Sequence, residues 1–451
     1  MTHRKIPVAC VQTQAHDRKD FQAAWPRIRT LVVEAASHGA KLVVLPEGTV
    51  PGYVLGSAAV DEREVALAAA DVAELASSYR TTIVYGGVKI SDGRTYNAAI
   101  AVGPDGYELG HAAKQFLWHF DRRWFTAGAT LDPIETPLGT LGLLVCADGR
   151  IPSIAATLVE RGAELLVMPT AWVTSGRDPH SLENLQADLM AGVRARENGV
   201  PFLVANKCGV ELQSVAYCGK SALYDADGAT LARASESDEA IVYGEIVAAP
   251  SRRSTGTAFA PPRDAANGPQ RTRIAFTLAS DPADVERFAV LATQSDADVL
   301  LARGATRGRH AVLAAHETGR NDIIGTGGIL IATVDTPTFT SPRGLIEARL
   351  AGFDLFLWHA DGDAAWHTPF ARTRAAELRA FVVVFSAATG RAFAVDPDGA
   401  VVAGTFGEYR LASFVYDRSR SAATLLAPTT DAFEGLRAAE AIRARALAQV
   451  R

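Results

Sequence analysis

Cysteine and histidine are sparse in this sequence, and their spacing excludes several common kinds of site. Cysteine occurs only four times in 451 residues, and no two cysteines stand at the C-x-x-C spacing. Such sparsity is typical of reduced thiols in a cytosolic protein, so we expect a cytoplasmic chain without a disulfide framework. No two histidines show the H-x-x-x-H spacing, and none lies beside a cysteine pair, so we expect no metal site.

Long apolar runs and a strong charge of one sign are also missing. No uninterrupted apolar stretch reaches about 18 residues, the length of a membrane-spanning helix. The opening MTHRKIPVACVQTQ enters a strand pattern without the apolar core of a signal peptide. With 45 basic and 50 acidic side chains the net charge is −5, which argues against nucleic-acid and anionic-membrane partners. We therefore expect the partner to be a small molecule.

The most informative stretch is 141–172, which reads LGLLVCADGRIPSIAATLVERGAELLVMPTAW. The pattern predicts a strand over 141–145, a helix opening at Ile151 and Pro152, and a second strand over 164–168. This βαβ unit places Cys146 in the turn between strand and helix. Backbone N–H groups at such a turn favour negative charge on sulfur, although most buried cysteines are simply small apolar residues.

Two further reactive side chains stand at the ends of predicted strands. The predicted strand 41–45 stops at Pro46 and Glu47, and a predicted hairpin over 82–102 leads to the arm that carries Lys114. Taken alone, a glutamate at a strand end is usually a solvated charge. A glutamate, a lysine and a cysteine in this order, each at the edge of a predicted strand, form a pattern that isolated surface charges do not explain.

Three motifs resemble the nitrilase superfamily, also called the carbon–nitrogen hydrolases. They are LPEGTVPGY, HAAKQFLW and LLVCADGRIP, and the resemblance continues through ARENGVPFLVANKCG (195–209) and YCGKSALYDADG (217–228) to cover residues 5–248. It implies an α/β fold, the α-β-β-α four-layer sandwich, and hydrolysis of a C–N bond other than a peptide bond. It also implies chemistry without a cofactor.

The resemblance assigns roles to the three reactive residues. Cys146 is the expected nucleophile, which forms a thioester while ammonia or an amine leaves. Glu47 is the expected general base, because a neutral thiol attacks poorly until a carboxylate accepts its proton. Lys114 is the expected cation, which favours the thiolate and, with the backbone N–H of Ala147, holds the oxyanion.

The sequence departs from the family at the second glutamate. In HFDRRWFTAG (119–128) that position carries Asp121, which is one methylene shorter and reaches Lys114 only if the loop moves inward by about 1 Å. The alternative is a solvated loop charge. Arg150 matches a position where carbamoylase-like members bind a substrate carboxylate, a task that suits guanidinium, or it is a structural ion-pair partner. The candidate substrate-binding residues are Ala147, Arg150, His119, Trp172 and Tyr53.

These assignments favour a thiol hydrolase of a small-molecule amide or N-carbamoyl compound. One alternative is a nitrilase, which uses the same thiol on a C≡N carbon. The other is a catalytically impaired member with a binding or regulatory role, disabled by Asp121. The sequence does not predict the substrate, because the pocket depends on loops whose conformations follow no periodicity.

The remainder of the chain repeats the first pattern without its chemistry. Residues 298–304 parallel 41–47 and place Gly304 where the base stands, and 274–451 contain no cysteine. We predict the same fold twice in tandem: a catalytic domain over 1–255, a linker rich in Pro, Gly, Ser and Arg over 256–273, and a degenerate copy over 274–451. The alternative is an unrelated α/β domain.

The resemblance also implies how the two copies meet. Members of the superfamily pair two subunits through helices on one face, so a chain with two copies is expected to form that pair internally. We expect helices near 153–161 and 182–198 to face helices near 342–351 and 370–380, with further homo-oligomerisation left open.

Overall fold

The computed structural model describes residues 5–56, 60–174, 183–248, 271–303, 305–308, 311–313, 322–326 and 329–448, and for 305–326 it describes the backbone alone. The chain divides into two units. One comprises Met1–Arg253, Ala427–Thr430 and Glu434–Arg451, and the other comprises Ser254–Leu426 and Asp431–Phe433. Most of the predicted linker 256–273, and also Gly304, lie outside the described residues.

The strands and helices follow one another along the chain in a mixed α/β order. The strands are β1 Lys5–Gln14, β2 Leu42–Val44, β3 Thr82–Ser91, β4 Arg94–Val102, β5 Glu108–Ala113, β6 Ile134–Thr136, β7 Gly139–Leu143, β8 Leu165–Pro169, β9 Phe202–Ala205, β10 Lys207–Glu211, β11 Val215–Cys218, β12 Ala222–Tyr224, β13 Thr230–Arg233, β14 Ala240–Val247, β15 Arg271–Thr277, β16 Val299–Ala302, β17 Ala305–Gly308, β18 Ala311–Leu313, β19 Asp322–Thr326, β20 Ile329–Val334, β21 Leu355–Ala360, β22 Phe381–Ser386, β23 Arg391–Val395, β24 Val401–Gly404, β25 Ala412–Asp417, β26 Leu425–Ala427 and β27 Thr430–Asp431. The helices are α1 Phe21–Ser37, α2 Glu62–Tyr79, α3 Pro152–Glu160, α4 Ala191–Asn198, α5 Pro282–Gln294, α6 Thr336–Thr340, α7 Pro342–Leu350, α8 His367–Leu378, α9 Arg418–Ala422 and α10 Ala432–Ala448.

Two sheets form the centre of the first unit. One has the order β11-β10-β1-β2-β3-β4-β5 with β14 also paired to β1, and the other has the order β13-β12-β9-β8-β7-β6. Strands β1, β2 and β3 are mutually parallel, as are β7, β8 and β9. The two sheets contact each other through β2 and β3 against β8, while α1 and α2 contact the first sheet and α3 and α4 the second. The first unit is therefore the predicted α-β-β-α sandwich.

The layers follow from the apolar pattern of the elements. Helix α1 buries Trp25, Ile28, Leu31, Val32 and Ala35, the spacing of one apolar helix face. These residues form one core with Val43 and Leu45, whereas Leu42 and Val44 are buried on the opposite face of the strand. Because side chains alternate along a strand, the side chains of a continuous apolar run such as 42–45 are buried on both faces of the sheet.

The second unit repeats the strand order of one of these sheets. Its six-stranded sheet has the order β19-β20-β21-β22-β23-β24. The two parallel pairs in its middle and the antiparallel pairs at its ends match those of β6-β7-β8-β9-β12-β13. The other sheet differs, because β17 pairs with β16 antiparallel while β3 pairs with β2 parallel. In β15, Ile274 and Phe276 face the core between the sheets and Ala275 packs with α5.

Two elements differ from the sequence-based expectation. The predicted helix 182–198 consists, within its described part, of a π-helical turn Gln186–Met190 followed by α4. The C-terminal helix falls within the range predicted for the second domain, yet 434–448 cluster with the first unit. Helical periodicity shows that a face is apolar but does not show which partner covers it. The predicted internal pairing of helices stays a prediction.

Helix length and hydropathy were also compared with the requirements of a membrane span. Among the described residues, no helix combines the length and the apolar character that crossing a bilayer requires.

Candidate active site

The ends of three strands bring the three candidate catalytic residues together. Glu47 follows β2, Lys114 follows β5 and Cys146 follows β7. Glu47 and Lys114 are fully buried, and Cys146 is 6% exposed. The Lys114 Nζ lies 2.8 Å from Glu47 Oε1, and both groups act electrostatically on the Cys146 thiol. The structure therefore places all three predicted residues in one site.

Cys146 occupies a strained turn. Its φ is 47°, in the left-handed region that residues other than glycine rarely adopt. The residue opens a short 3₁₀ turn, Cys146–Arg150, which leads into α3. Such conformations cost on the order of 1–3 kcal/mol and persist where surrounding contacts hold them, often at functional sites. Ala147, whose N–H is the expected oxyanion donor, is buried in the same turn.

The surroundings of the Cys146 thiol favour its neutral form. Burial raises its pKa most, and the carboxylate of Glu47 raises it further. Lys114, the Thr170 side chain and a backbone hydrogen bond with Ala171 lower the pKa, but they do not outweigh burial and Glu47. Lys114 thus shifts the balance towards the thiolate, but its effect is smaller than that of burial and Glu47.

Asp121 contacts Lys114 directly. The Lys114 Nζ lies 2.6 Å from Asp121 Oδ2, and both side chains are fully buried. The same carboxylate oxygen accepts a hydrogen bond of 2.9 Å from the backbone N–H of Trp118. Burial alone lowers the pKa of Lys114, but the carboxylates of Asp121 and Glu47 together hold it well above its usual value. The alternative that Asp121 is a solvated loop charge is wrong, because no solvent reaches it.

Asn97 is a contact that sequence reasoning missed. Its Nδ2 donates a hydrogen bond of 2.6 Å to Glu47 Oε1, the oxygen that Lys114 also contacts. Glu47 Oε2 is buried and has no hydrogen-bond partner among the described residues. One carboxylate oxygen is therefore held, and the other is free to accept a proton. The available signal was an asparagine directly before the apolar run 98–102 of β4, in a strand where that residue type is disfavoured.

Asp148 joins the lysine arm to the cysteine turn. Its Oδ1 accepts hydrogen bonds from the backbone N–H groups of Gln115 at 3.0 Å and Phe116 at 2.8 Å. Its Oδ2 accepts one of 3.1 Å from the N–H of Val145. Burial raises the pKa of Asp148 to about 7, against the lowering effect of these three donors. The side chain two residues after Cys146 thus links two separate segments of the site.

A second buried polar cluster holds the loop that follows Glu47. Glu211 accepts a hydrogen bond of 2.8 Å from the N–H of Val54 and one of 2.6 Å from the hydroxyl of Tyr217. The Lys207 Nζ donates to the carbonyl of Gly48 at 3.1 Å. The sequence pattern places residues near 206–207 at the border of the site but does not indicate this cluster.

A cluster of aromatic side chains approaches the lysine through Tyr53. The Lys114 Nζ lies 5.5 Å from the ring centroid of Tyr53, which is buried. The ring of Tyr53 packs with those of Phe120 and Tyr217. Burial, together with nearby carboxylates, raises the pKa of Tyr53 well above its usual value, so its hydroxyl stays neutral. Tyr53, a predicted substrate-binding residue, is thus brought to the site.

The other predicted substrate-binding residues take different positions. Trp172 is buried, and its backbone N–H donates to Asn206 Oδ1 at 2.8 Å. The guanidinium of Arg150 lies 5.5 Å from the ring centroid of Trp118, a cation–π distance. The ring of His119 packs edge-on against Phe120. Their roles in substrate binding stay predictions.

The described residues contain no group of three or more histidine, cysteine, aspartate or glutamate side chains arranged to hold a metal ion.

Comparisons with known proteins agree with this geometry. A family model described as carbon–nitrogen hydrolase matches residues 7–253. The protein called "Hydrolase in pqqF 5'region" of Pseudomonas protegens is 34% identical over 226 residues, which are 49% of this chain and 75% of that protein. The omega-amidase NIT2 of Homo sapiens is 31% identical over 253 residues, 53% of this chain and 87% of that protein. An amidase from Nesterenkonia sp. shares the fold, with a TM-score of 0.50 and 23% identity over 55% of this chain and 92% of its own.

We expect Gly86→Ala to impair catalysis by displacing Glu47. A Cβ at position 86 would lie 2.4 Å from Glu47 Cα and 2.4 Å from the carbonyl oxygen of Pro46, so the backbone that carries the glutamate has to shift. A shift of about 1 Å can cost roughly a hundredfold in rate. Gly404→Ala is the control, because its Cβ meets only ordinary contacts at 3.5 Å. Equal rates of amide hydrolysis by the two variants would contradict the tight packing behind Glu47.

We expect Asp148→Ala to destabilise the first unit more than Asp148→Asn. Alanine leaves three buried N–H groups without an acceptor, at roughly 1–3 kcal/mol each. Asparagine retains one oxygen that can still accept from Gln115 and Phe116. Thermal unfolding midpoints of the two variants and the unsubstituted protein measure the difference. Identical midpoints for the two variants would show that the three hydrogen bonds do not stabilise the fold.

Proposed function

This chain belongs to the carbon–nitrogen hydrolase family and is a hydrolase of C–N bonds other than peptide bonds, and we propose that it hydrolyses a small-molecule amide or N-carbamoyl compound through an acyl-enzyme on Cys146. One observation carries the proposal: Lys114 is buried between Glu47 at 2.8 Å and Asp121 at 2.6 Å, next to the thiol. The family match covers 7–253, so we assign the activity to the first unit.

The first step transfers a proton as the thiol attacks. The Cys146 sulfur forms a bond to the carbonyl carbon, and its proton passes to Glu47. Oε2 is the oxygen suited to accept it, because Oε1 already accepts from Lys114 and Asn97. A neutral thiol beside a positioned carboxylate is the arrangement that general-base catalysis requires.

The oxyanion that develops needs a positive partner. Lys114 is that partner, together with the backbone N–H of Ala147, and fixed donors of this kind commonly supply about a hundredfold or more in rate. The two carboxylates keep Lys114 protonated despite its burial. We assign Asp121 the role of the family's second glutamate, since it reaches Lys114 although its side chain is shorter.

The adduct then collapses and water completes the cycle. The C–N bond breaks, and ammonia or an amine leaves with the proton that Glu47 received from the thiol. Water next attacks the thioester while Glu47 accepts a proton from it. The acid is released, and Cys146 regains its proton. Every proton in this cycle passes through one carboxylate, and no cofactor enters.

Two other functions compete with amide hydrolysis. A nitrilase would use the same thiol on a C≡N carbon, and an impaired member would bind without turnover. The contact between Asp121 and Lys114 argues against impairment, because Asp121 still pairs with the lysine although the family has a glutamate at this position. A relative named as an omega-amidase, 31% identical, supports amide chemistry, and a relative named as a nitrilase, 28% identical, keeps nitrile chemistry as the competing function.

We also propose that the second unit is a degenerate copy of the first. Support comes from the six-stranded sheet, which has the same strand order and the same directions of pairing in both units. Residues 274–451 contain no cysteine, so the second unit cannot form a thioester. The difference between β17 and β3 lies in the sheet that, in the first unit, carries Glu47 and Lys114 at its strand ends.

The substrate class is tested by a screen of amides, N-carbamoyl compounds and nitriles for ammonia release. We expect release from members of the amide or carbamoyl sets and none with Cys146→Ala. Glu47→Gln is expected to lower turnover at least about a hundredfold, the usual scale for loss of a general base. Release from nitriles alone would replace the proposal with a nitrilase. Turnover that persists in Cys146→Ala would show that the reaction does not pass through an acyl-enzyme on Cys146.

The role of Asp121 is tested by Asp121→Asn in the same assay. The amide keeps the shape of the side chain but loses the charge that helps hold Lys114 protonated, so we expect turnover to fall at least about tenfold with a smaller relative change in thermal stability. Asp92→Asn makes the same change at an exposed turn residue and is the control. Wild-type turnover in Asp121→Asn would mean that Asp121 takes no part in the reaction.

A further inference from the structure

The C-terminal segment contributes to the unit that contains the candidate active site. Residues Ala427–Thr430 and 434–448 cluster with Met1–Arg253, although about 170 residues separate the two in sequence. The side chains of Arg443 and Glu160 form a nearly buried ion pair with contacts of 2.8 and 2.6 Å. The hydroxyl of Ser153 donates to Glu440 at 2.5 Å. Both contacts fasten α10 to α3, the helix that follows the cysteine turn.

Close packing brings the start of α10 to the lysine arm. A Cβ at Gly435 would lie 2.6 Å from the ring of Phe116 and 3.0 Å from Ile151, so only glycine allows this approach. Phe116 lies two residues after Lys114, and Ile151 closes the turn that begins at Cys146. The helix therefore rests on both segments that carry candidate catalytic residues.

Two threonines before α10 hold the backbone of His119. The N–H of His119 donates to Thr430 Oγ1 at 2.6 Å, and Thr429 Oγ1 donates to the carbonyl of His119 at 2.9 Å. His119 has a φ of 45° and Thr429 has a φ of 63°, both unusual for residues other than glycine. Strained backbone of this kind persists only where contacts hold it. Here the hydrogen bond from Thr429 to His119 joins the two strained residues directly.

His119 begins the short turn that contains Asp121 and sets the position of its side chain. The 3₁₀ turn His119–Arg123 carries Asp121, whose carboxylate accepts from the N–H of Trp118 and contacts Lys114 at 2.6 Å. A change in the backbone at His119 moves both the donor at Trp118 and the carboxylate at Asp121. The distance between Asp121 and Lys114 therefore depends on the residue that the threonines fix.

We propose that Thr430, assisted by Thr429 and the docking of α10, is a positioning residue for the hydrolase reaction and acts through His119 on the pair formed by Asp121 and Lys114. The hydroxyl of Thr430 is fully buried with its side chain and supplies the acceptor for the His119 N–H. The C-terminal segment is then part of the active-site scaffold of the first unit. This inference rests on the proposed amide hydrolysis.

The test compares Thr430→Val with Thr430→Ser in the full-length chain. Valine keeps the shape but removes the acceptor, and serine keeps the hydroxyl. We expect Thr430→Val to lower kcat at least about tenfold with little change in KM, because the lost positioning acts on the charge that stabilises the transition state. Thr430→Ser is expected to restore most of kcat. Equal kcat for valine and serine variants, or a change confined to KM, would overturn the inference.

Gly435→Ala provides a second test, because helix propensity and the packing of α10 on Phe116 predict opposite effects of this substitution. Alanine is the better helix former, yet its Cβ meets Phe116, so we expect kcat to fall. Ala441→Gly weakens the same helix at an exposed position and is the control, with kcat expected to be unchanged. A fall in kcat for Ala441→Gly but not for Gly435→Ala would show that helix stability, rather than docking, matters.

A probe independent of turnover separates this inference from the proposed function. Alkylation of Cys146 by 2-iodoacetamide, followed by peptide mass spectrometry, reports on the site even if no amide is hydrolysed. If the wild-type protein hydrolyses none of the tested amides, the proposed function fails on its own. Slower alkylation in Thr430→Val than in Thr430→Ser would still support positioning by Thr430, and identical alkylation rates would overturn it.

Discussion

The buried contact of one lysine with two carboxylates is the interaction on which the site depends. Lys114, Glu47 and Asp121 have no access to solvent. Removing a charge from water costs several kcal/mol even after the protein relaxes, so each of these groups requires its partners. The carboxylates keep Lys114 charged, and Lys114 in turn offsets the burial of the carboxylates. Loss of Lys114 would leave two carboxylates without a positive partner in the interior.

The charge balance of this cluster explains the state of the thiol. Two carboxylates against one ammonium leave a negative surplus, and a thiolate at Cys146 would add another negative charge in a buried site. Burial and Glu47 accordingly raise the pKa of Cys146. These shifts favour the neutral thiol, and Glu47 Oε2 is buried without a hydrogen-bond partner among the described residues. In the proposed reaction this oxygen accepts the proton of the thiol.

Strained backbone recurs at the segments that surround this cluster. Cys146 and His119 both have positive φ, and neither is glycine. The hydrogen bonds of Asp148 join the cysteine turn to the backbone that follows Lys114. Those of Thr429 and Thr430 hold His119. In each case a distant part of the chain offsets a local cost, which is why such a site needs a rigid scaffold rather than a flexible loop.

The sequence by itself determined which residues meet. Glu47 and Cys146 follow apolar runs that the pattern predicts as strands, and the family motifs group both residues with Lys114, so local pattern and resemblance together predicted that the three meet. The sandwich fold was implied by the resemblance to the nitrilase superfamily, and the apolar pattern placed strands over 41–45 and 164–168, close to the observed β2 and β8.

Only the tertiary structure decided how these residues are held and in which protonation state. The hydrogen bond from Asn97 to Glu47 crosses between strands, and the reach of Asp121 depends on a turn that no periodicity describes. The pKa of Cys146 depends on burial by residues from several elements. The partner of α10 lies some 280 residues earlier in the chain, at Ser153 and Glu160. Local sequence specifies an apolar face or a reactive side chain, but the neighbour it meets across space is set by the packing of the whole unit.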